Sequence, residues 1–397
     1  MDLQKLFADR MVGVPKSFIR EILKFSLDPK VISFAGGLPN KDLFPFDALQ
    51  EATQQVFQLH GNSCLQYSAT EGDLKLRQLI AQRYRVKKNI VIEPQNILIL
   101  NGAQQGLDLL GKVFLNSGDG VVVEEPGYLG ALQAFSVYQP EFFPFAVTAS
   151  GADISGFERG VAEERVKLIY TVPNFQNPSG LSYSAEDRER MSNGVRGRNV
   201  LLIEDDPYGE LRFRGEEKPS FFHYLPEQTV LLGSFSKTLI PGFRIGWIAA
   251  PAEVIEKILI AKQAADLHTC QFTQYIVCRY LEENDIDDHI RIIAESYGRQ
   301  CSAMTAGMEK YLPDTISFTR PEGGMFLWGT LPAGFSSMDF FRHAVEEKVV
   351  FVPGSPFYTK NINEQTFRLS FSCVDEPAID AGLQRLGRAA RNLFSSC

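Results

Sequence analysis

The sequence predicts an α/β fold, with a large central domain on a mostly parallel sheet flanked by helices and a smaller α+β domain formed by both chain ends. Three observations carry this. Short apolar runs recur through the middle of the chain and end in polar or turn residues. Helix-like stretches lie between them. From about residue 287 the pattern changes to one long polar helical stretch followed by strand-like pieces.

The apolar runs are NILIL (96–100), GVVVEE (120–125), KLIYTV (167–172), NVLLIEDD (199–206), TVLLGSF (229–235) and RIGWIAA (244–250). They are apolar at successive positions, not alternate ones, which suits strands covered on both faces, as in parallel sheets. Among the intervening stretches, GAQQGLDLLGKVF (102–114) and SAEDRERMSNGV (184–195) have helical character. The second opens on Ser184 and an acidic first turn, as a helix N-terminus should. The last third offers a helix over 287–312 and strands within GGMFLWGTL (323–331) and TFRLSFS (366–372). Residues before about 50 are too few to fold alone and are expected to pack on this C-terminal part. The expected division is therefore 50–287 for the large domain, with 1–49 and 288–397 forming the small one.

Composition narrows the function. The chain has 397 residues, 44% hydrophobic and 22% charged, the balance of a globular protein long enough for two domains. A net charge of −8 and a pI near 5.4 argue against nucleic acid as a partner, because that affinity comes largely from Lys and Arg neutralising phosphates. Six cysteines without a C-x-x-C pair suggest neither a metal cluster nor a disulfide framework. No run approaches the roughly 20 apolar residues of a membrane span. The N-terminus carries acids within its first ten residues and lacks the apolar stretch of a secretory signal, so a cytoplasmic location is expected.

In open α/β sheets ligands collect at the carboxyl ends of the strands, so chemistry is sought after each apolar run. TVLLGSF passes into SKTLIPGFRIGW, bringing Ser234, Ser236, Lys237 and Arg244 within eleven residues. Two hydroxyls and a guanidinium suit a phosphate, while a lysine amine can form an imine with an aldehyde. The bland alternative for Lys237 is a solvated surface residue, which its position between an apolar strand and a Gly-rich segment disfavours. A Walker A reading of SFSKT fails, since that pattern needs Gly immediately before the Lys.

NVLLIEDDPYGEL supplies Asp205 and Tyr208. A pyridine ring acting as an electron sink must keep its nitrogen protonated, and a carboxylate beside it favours that form. Tyr208, and Asn177 in YTVPNFQNPSG, could bond a phenolic oxygen on such a ring. The alternatives are a solvated acidic pair and an ordinary turn. NGAQQGLD opens a helix whose first N–H groups lack partners, a natural phosphate cradle to which the Ala103 amide and Gln104 would contribute. Tyr128 in EEPGYLGAL could cover an aromatic ring or be a half-buried aromatic in a turn. Arg368 alternates away from Phe367, Leu369 and Phe371, leaving it free to clamp a carboxylate or to form a surface salt bridge. Ser17 and Arg20, three apart in KSFIREIL, share one helix face, where an exposed helix charge is the alternative.

Together these segments resemble the fold type I, pyridoxal 5′-phosphate (PLP)-dependent class I aminotransferases, most closely the 2-aminoadipate (kynurenine-type) group. The match runs from SFIREIL and ISFAGGLPNKDLFP through LQYSATEGDLKLR, NGAQQGLDLLGKVF, EEPGYLGAL, YTVPNFQNPSG, IEDDPYGELRF and GSFSKTLIPGFRIGW to GGMFLW, FVPGSPFY and FRLSFS, nearly the whole chain. The resemblance implies that Lys237 holds PLP covalently, Asp205 pairs with the pyridine nitrogen, and Asn177 and Tyr208 bond the phenolic oxygen. Tyr128 would stack on the ring. Ala103, Gln104, Ser234, Ser236 and Arg244 would hold the phosphate, with Tyr67 reaching it from the second subunit of a homodimer. Arg368 would take the substrate α-carboxylate and Gly37 would line the substrate pocket. The segment with Ser17 and Arg20 would cover the substrate side chain, Arg20 meeting a distal carboxylate. One departure is Ala103, where the family usually has serine, which removes a hydroxyl but keeps the backbone donor.

The implied reaction is ping-pong transamination between an L-amino acid and a 2-oxo acid, with acidic, aromatic and aliphatic donors. A decarboxylase or C–S lyase on the same fold, or a non-catalytic PLP-sensing module, would keep nearly every residue named.

Overall fold

The computed structural model describes residues 1, 3–12, 14, 22, 25 and 28–395. After the short N-terminal strand β1 (Ile32–Ser33), the middle of the chain supplies eight strands of one sheet. These are β2 (Ile97–Leu100), β3 (Gly120–Glu125), β4 (Glu141–Thr148), β5 (Gly151–Ala152), β6 (Val166–Thr171), β7 (Leu201–Asp205), β8 (Thr229–Ser234) and β9 (Gly246–Ala249). Their order is β2-β9-β8-β7-β6-β3-β4-β5, with β3, β4, β6, β7 and β8 mutually parallel. Both faces are covered, which is why the strands read as continuous apolar runs. Val121, Val123, Leu168 and Ile203 point into the main core, while Val122, Ile169 and Leu202 point into a second core on the opposite face.

Two features depart from the sequence reading. β4 was not among the expected runs. Its inner half pairs with β3 alone, so Pro144, which has no N–H to donate, lies on an edge where none is needed. RIGWIAA does form a strand, β9, but it runs antiparallel to both β8 and β2. Its first residue, Gly246, therefore lies level with Leu100 and Ser234, the last residues of β2 and β8. The reversal delivers Arg244 to the end of the sheet where the parallel strands finish.

The C-terminal part contains β10 (Ser317–Phe318), β11 (Phe326–Thr330), β12 (Val349–Val350), β13 (Val352–Pro353) and β14 (Thr366–Ser370). Four of these form an antiparallel sheet, β10-β11-β14-β13, and β12 pairs in parallel with β1. The two chain ends are thus joined by backbone hydrogen bonds, continued by Ser370 N–H donating to the Phe34 carbonyl at 2.8 Å. The long polar stretch forms the helix Ile286–Tyr311, capped by the Asp285 side chain, which accepts from the N–H groups of Asp287 and Asp288. Helices Ser337–Glu346 and Glu376–Ser395 complete this part. No helix among the described residues is long and apolar enough to cross a membrane.

Candidate active site

The carboxyl ends of β2, β3, β6, β7 and β8 and the start of β9 meet on one side of the large sheet, and β14 of the small sheet closes over them. Lys237 lies three residues past β8, half-buried, and its Nζ donates to the Gly37 carbonyl at 2.8 Å. Burial is the largest influence on this amine and, with the charges of Arg368 and Arg244 adding to it and Cys373 opposing, lowers its pKa to about 8.

Asp205 ends β7 and is 3% exposed. Its Oδ2 accepts from the Tyr170 hydroxyl at 2.7 Å, while Oδ1 is buried without a partner. Burial pushes this carboxyl up to about 7, with the Tyr170 hydrogen bond pulling the other way. Tyr208, buried one turn beyond, has its hydroxyl pKa raised, first by burial.

Arg368, on β14, is 1% exposed. Its Nη1 donates to Asn177 Oδ1 at 2.8 Å and its Nη2 to the Ala35 carbonyl at 2.7 Å, while Nε has no partner. Its guanidinium carbon lies 4.5 Å from the centroid of the Phe326 ring. No carboxylate pairs with it among the described residues. Burial lowers its pKa to about 10, so the charge persists at neutral pH. The surface salt bridge is thereby excluded: this is a buried cation lacking an anion.

A second cationic corner forms at the helix Ala103–Phe114. Its N-cap, Gly102, offers no side-chain acceptor, so the N–H groups of Ala103 and Gln104 remain open to a ligand, while that of Gln105 donates to the Gly102 carbonyl at 3.1 Å. Gly102 has φ 79°, and a Cβ there would lie 2.5 Å from Arg244 Nη2, so the bare backbone lets the guanidinium pack against the helix end. Ser234 Oγ donates to Ser236 Oγ at 2.8 Å and accepts from the Ser236 N–H at 3.0 Å. Gln104 Nε2 is tied to the Gly130 carbonyl at 2.8 Å, and the Tyr128 hydroxyl approaches Gln104 Oε1 at 3.5 Å. A helix N-terminus, an arginine and two hydroxyls make a phosphate site by their chemistry.

These residues fit PLP. The orphaned Asp205 Oδ1 suits a protonated ring nitrogen, the helix end with Arg244 suits the phosphate, and Lys237 suits the aldehyde. Lys237, Gly37, Asp205, Asn177, Tyr208, Tyr128, Arg368, Ala103, Gln104, Ser234, Ser236 and Arg244 converge on this side of the sheet. Tyr67 does not join them within the chain: it is 79% exposed, edge-on to His268 with centroids 5.8 Å apart. Ser17 and Arg20 lie outside the described residues.

Sequence reasoning missed three contributors. Tyr170 supports Asp205. Phe326 lies under Arg368 and beside Tyr208, 5.9 Å between ring centroids. Glu124 is fully buried and accepts from Val172 N–H, Gln176 Nε2 and the Tyr183 hydroxyl, at 2.8, 2.6 and 2.5 Å, pinning the loop that carries Asn177. A signal existed only for Glu124, an acid inside the apolar run GVVVEE.

The family model "Aminotransferase class I and II" matches residues 29–386. The chain belongs to this family. As a PLP-dependent aminotransferase, it is 40% identical to aromatic-amino-acid aminotransferase 1 of Thermococcus litoralis, over 98% of this chain and 95% of that protein. It is 39% identical to the 2-aminoadipate transaminase of Thermus thermophilus, over 96% of each. Among solved structures, LysN, an α-aminoadipate aminotransferase from Thermus thermophilus complexed with N-(5′-phosphopyridoxyl)-L-leucine, superposes with a TM-score of 0.93 at 38% identity, covering 100% of both chains. These likenesses support transamination and lend none to the decarboxylase, C–S lyase or PLP-sensing alternatives.

Proposed function

We propose that this aminotransferase accepts a broad range of amino donors, dicarboxylic, aromatic and aliphatic, and passes the amino group to a 2-oxo acid in a ping-pong cycle. The observation that carries the reading is Arg368, a buried guanidinium without a carboxylate partner among the described residues, near a lysine whose pKa is lowered to about 8. Every α-amino acid brings the α-carboxylate this cation lacks, whatever its side chain. Breadth is further supported by the relatives, one named for aromatic amino acids and another for 2-aminoadipate.

Bound PLP supplies an electrophilic aldehyde and a ring that takes up charge from the substrate α-carbon. The protein's own residues do the rest. Lys237 would hold the cofactor through its amine, and the same amine would carry a proton to and from the substrate α-carbon. Asp205 keeps the ring nitrogen protonated, Asn177 and Tyr208 hold the phenolic oxygen, and Tyr128 covers the ring. Ala103, Gln104, Ser234, Ser236 and Arg244 retain the phosphate, and Gly37 bounds the substrate pocket. Arg20 and Ser17 are assigned to the distal carboxylate of acidic donors.

The assembly proposed is a homodimer in which Tyr67 reaches the partner's phosphate. Support comes from the exposure of Tyr67 together with Phe57, Leu59 and Leu65 on neighbouring segments. We also propose 50–287 as the large domain, with 1–49 and 288–397 as the small one, and a reducing, cytoplasmic setting that suits the free Cys64, Cys270, Cys278, Cys301 and Cys373.

A donor panel tests the substrate reading. Arg20→Ala should lower kcat/KM for 2-aminoadipate and glutamate by roughly 10-fold or more, about 1.4 kcal/mol, and leave leucine and phenylalanine nearly unchanged. An equal loss for all donors would assign Arg20 to folding instead, and no loss would leave it a surface charge.

A further inference from the structure

We propose that Tyr170 is a positioning residue for the cofactor's ring nitrogen, acting through Asp205: its hydroxyl engages Oδ2, keeps the carboxylate ionised and leaves Oδ1 as the free acceptor. The inference rests on the reading of Asp205 as the ring-nitrogen partner.

The strand register makes the contact. Tyr170 on β6 pairs with Ile203 on β7, and Asp205 is two residues further along β7, on the same face. The Tyr170 ring, 1% exposed, packs edge-on against Phe135 with centroids 5.9 Å apart, which fixes its direction. Its hydroxyl lies 2.7 Å from Asp205 Oδ2, and Oδ1 has no partner. One carboxylate is thereby divided between two tasks, one oxygen per task.

The surroundings make this hydroxyl decisive. No lysine, arginine or histidine lies within ion-pair distance of Asp205 among the described residues. The charged and titratable groups facing it are Asp206 on its own segment, Glu124 from β3, and Tyr128 and Tyr208 from the following loops. Asp206 and Glu124 disfavour a negative charge on Asp205, as does burial; Tyr170 opposes them. Without its hydroxyl the carboxylate becomes more basic and competes with the ring nitrogen for the proton they share. A tyrosine merely satisfied by a nearby acid would have no such effect on the ring.

The test uses the holoenzyme loaded with PLP isotopically labelled at the ring nitrogen, whose NMR shift reports protonation directly. In Tyr170→Phe the ratio of protonated to unprotonated ring nitrogen at neutral pH should fall about ten-fold, the equivalent of one pKa unit of added carboxylate basicity. The single-turnover rate with an amino acid should fall about ten-fold, the scale of a lost hydrogen bond to a charged group. Reconstitution with a PLP analogue bearing carbon in place of the ring nitrogen should make wild type and variant equal. An unchanged ratio overturns the proposal, and so does an equal loss with both cofactors, which marks a structural role. Asp205→Asn, run alongside, separates the two layers. If it alone lowers that ratio, Tyr170 fails while Asp205 stands; if neither variant lowers it, the assignment of Asp205 fails.

Discussion

Lys237 is half-buried and Arg368 fully buried, and desolvation acts on these two cations with different consequences. The guanidinium begins so basic that a pKa lowered to about 10 leaves it charged at neutral pH, fit to bind a carboxylate. The amine is brought to about 8, near working pH, and only its neutral form attacks an aldehyde. The rate at which cofactor-free protein captures PLP should therefore rise with pH and level off above a midpoint near 8. A midpoint in the ordinary lysine range, about 10.4, would show that burial does not tune this amine. Both residues were legible in the sequence because a charged group within or just after an apolar run is conspicuous. Tyr170 and Phe326 were not, since nothing about a buried aromatic reveals which acid or cation it will meet until strand register and sheet packing are known.

At the scale of elements, helix ends and strand directions decide where those side chains arrive. Ser184 announced its helix in the sequence, and its side chain accepts from the Asp187 N–H, as an N-cap should. Ser184→Ala should cost about 1 kcal/mol of stability in urea unfolding while leaving turnover unchanged, because the cap lies away from the site. A variant as stable as wild type would mean that water replaces the cap at no cost. The strands were legible as apolar runs, but their directions were not. Periodicity carries no sign, so the reversal of β9, which brings Arg244 beside Gly102, could come only from the folded sheet. β4 escaped notice because an edge strand is covered on one side and its burial partly alternates.

For the whole molecule, the chain alone leaves one assigned residue, among the described ones, outside its own site. Tyr67 is 79% exposed, and the proposed dimer gives it a function on the partner. Mixing Lys237→Ala with Tyr67→Ala protein, each inactive or severely impaired, should regenerate activity, since half of each mixed dimer's sites would carry both native residues. Failure to recover activity in dimers shown to exchange subunits would remove Tyr67 from the partner's site. The meeting of both chain ends was legible from the shortage of residues before about 50, whereas the joint itself, β1 against β12, depends on pairings 317 residues apart, Ile32 with Val349. Sequence proximity gives no warning of such a contact.

Transamination itself is tested most directly by a single turnover in which the PLP-loaded enzyme meets one amino acid with no acceptor present. The absorbance of the bound aldehyde form should convert to that of the pyridoxamine form, with one 2-oxo acid released per site and no turnover in Lys237→Ala. Carbon dioxide or a thiol released in place of the 2-oxo acid, or conversion undiminished without Lys237, would contradict it.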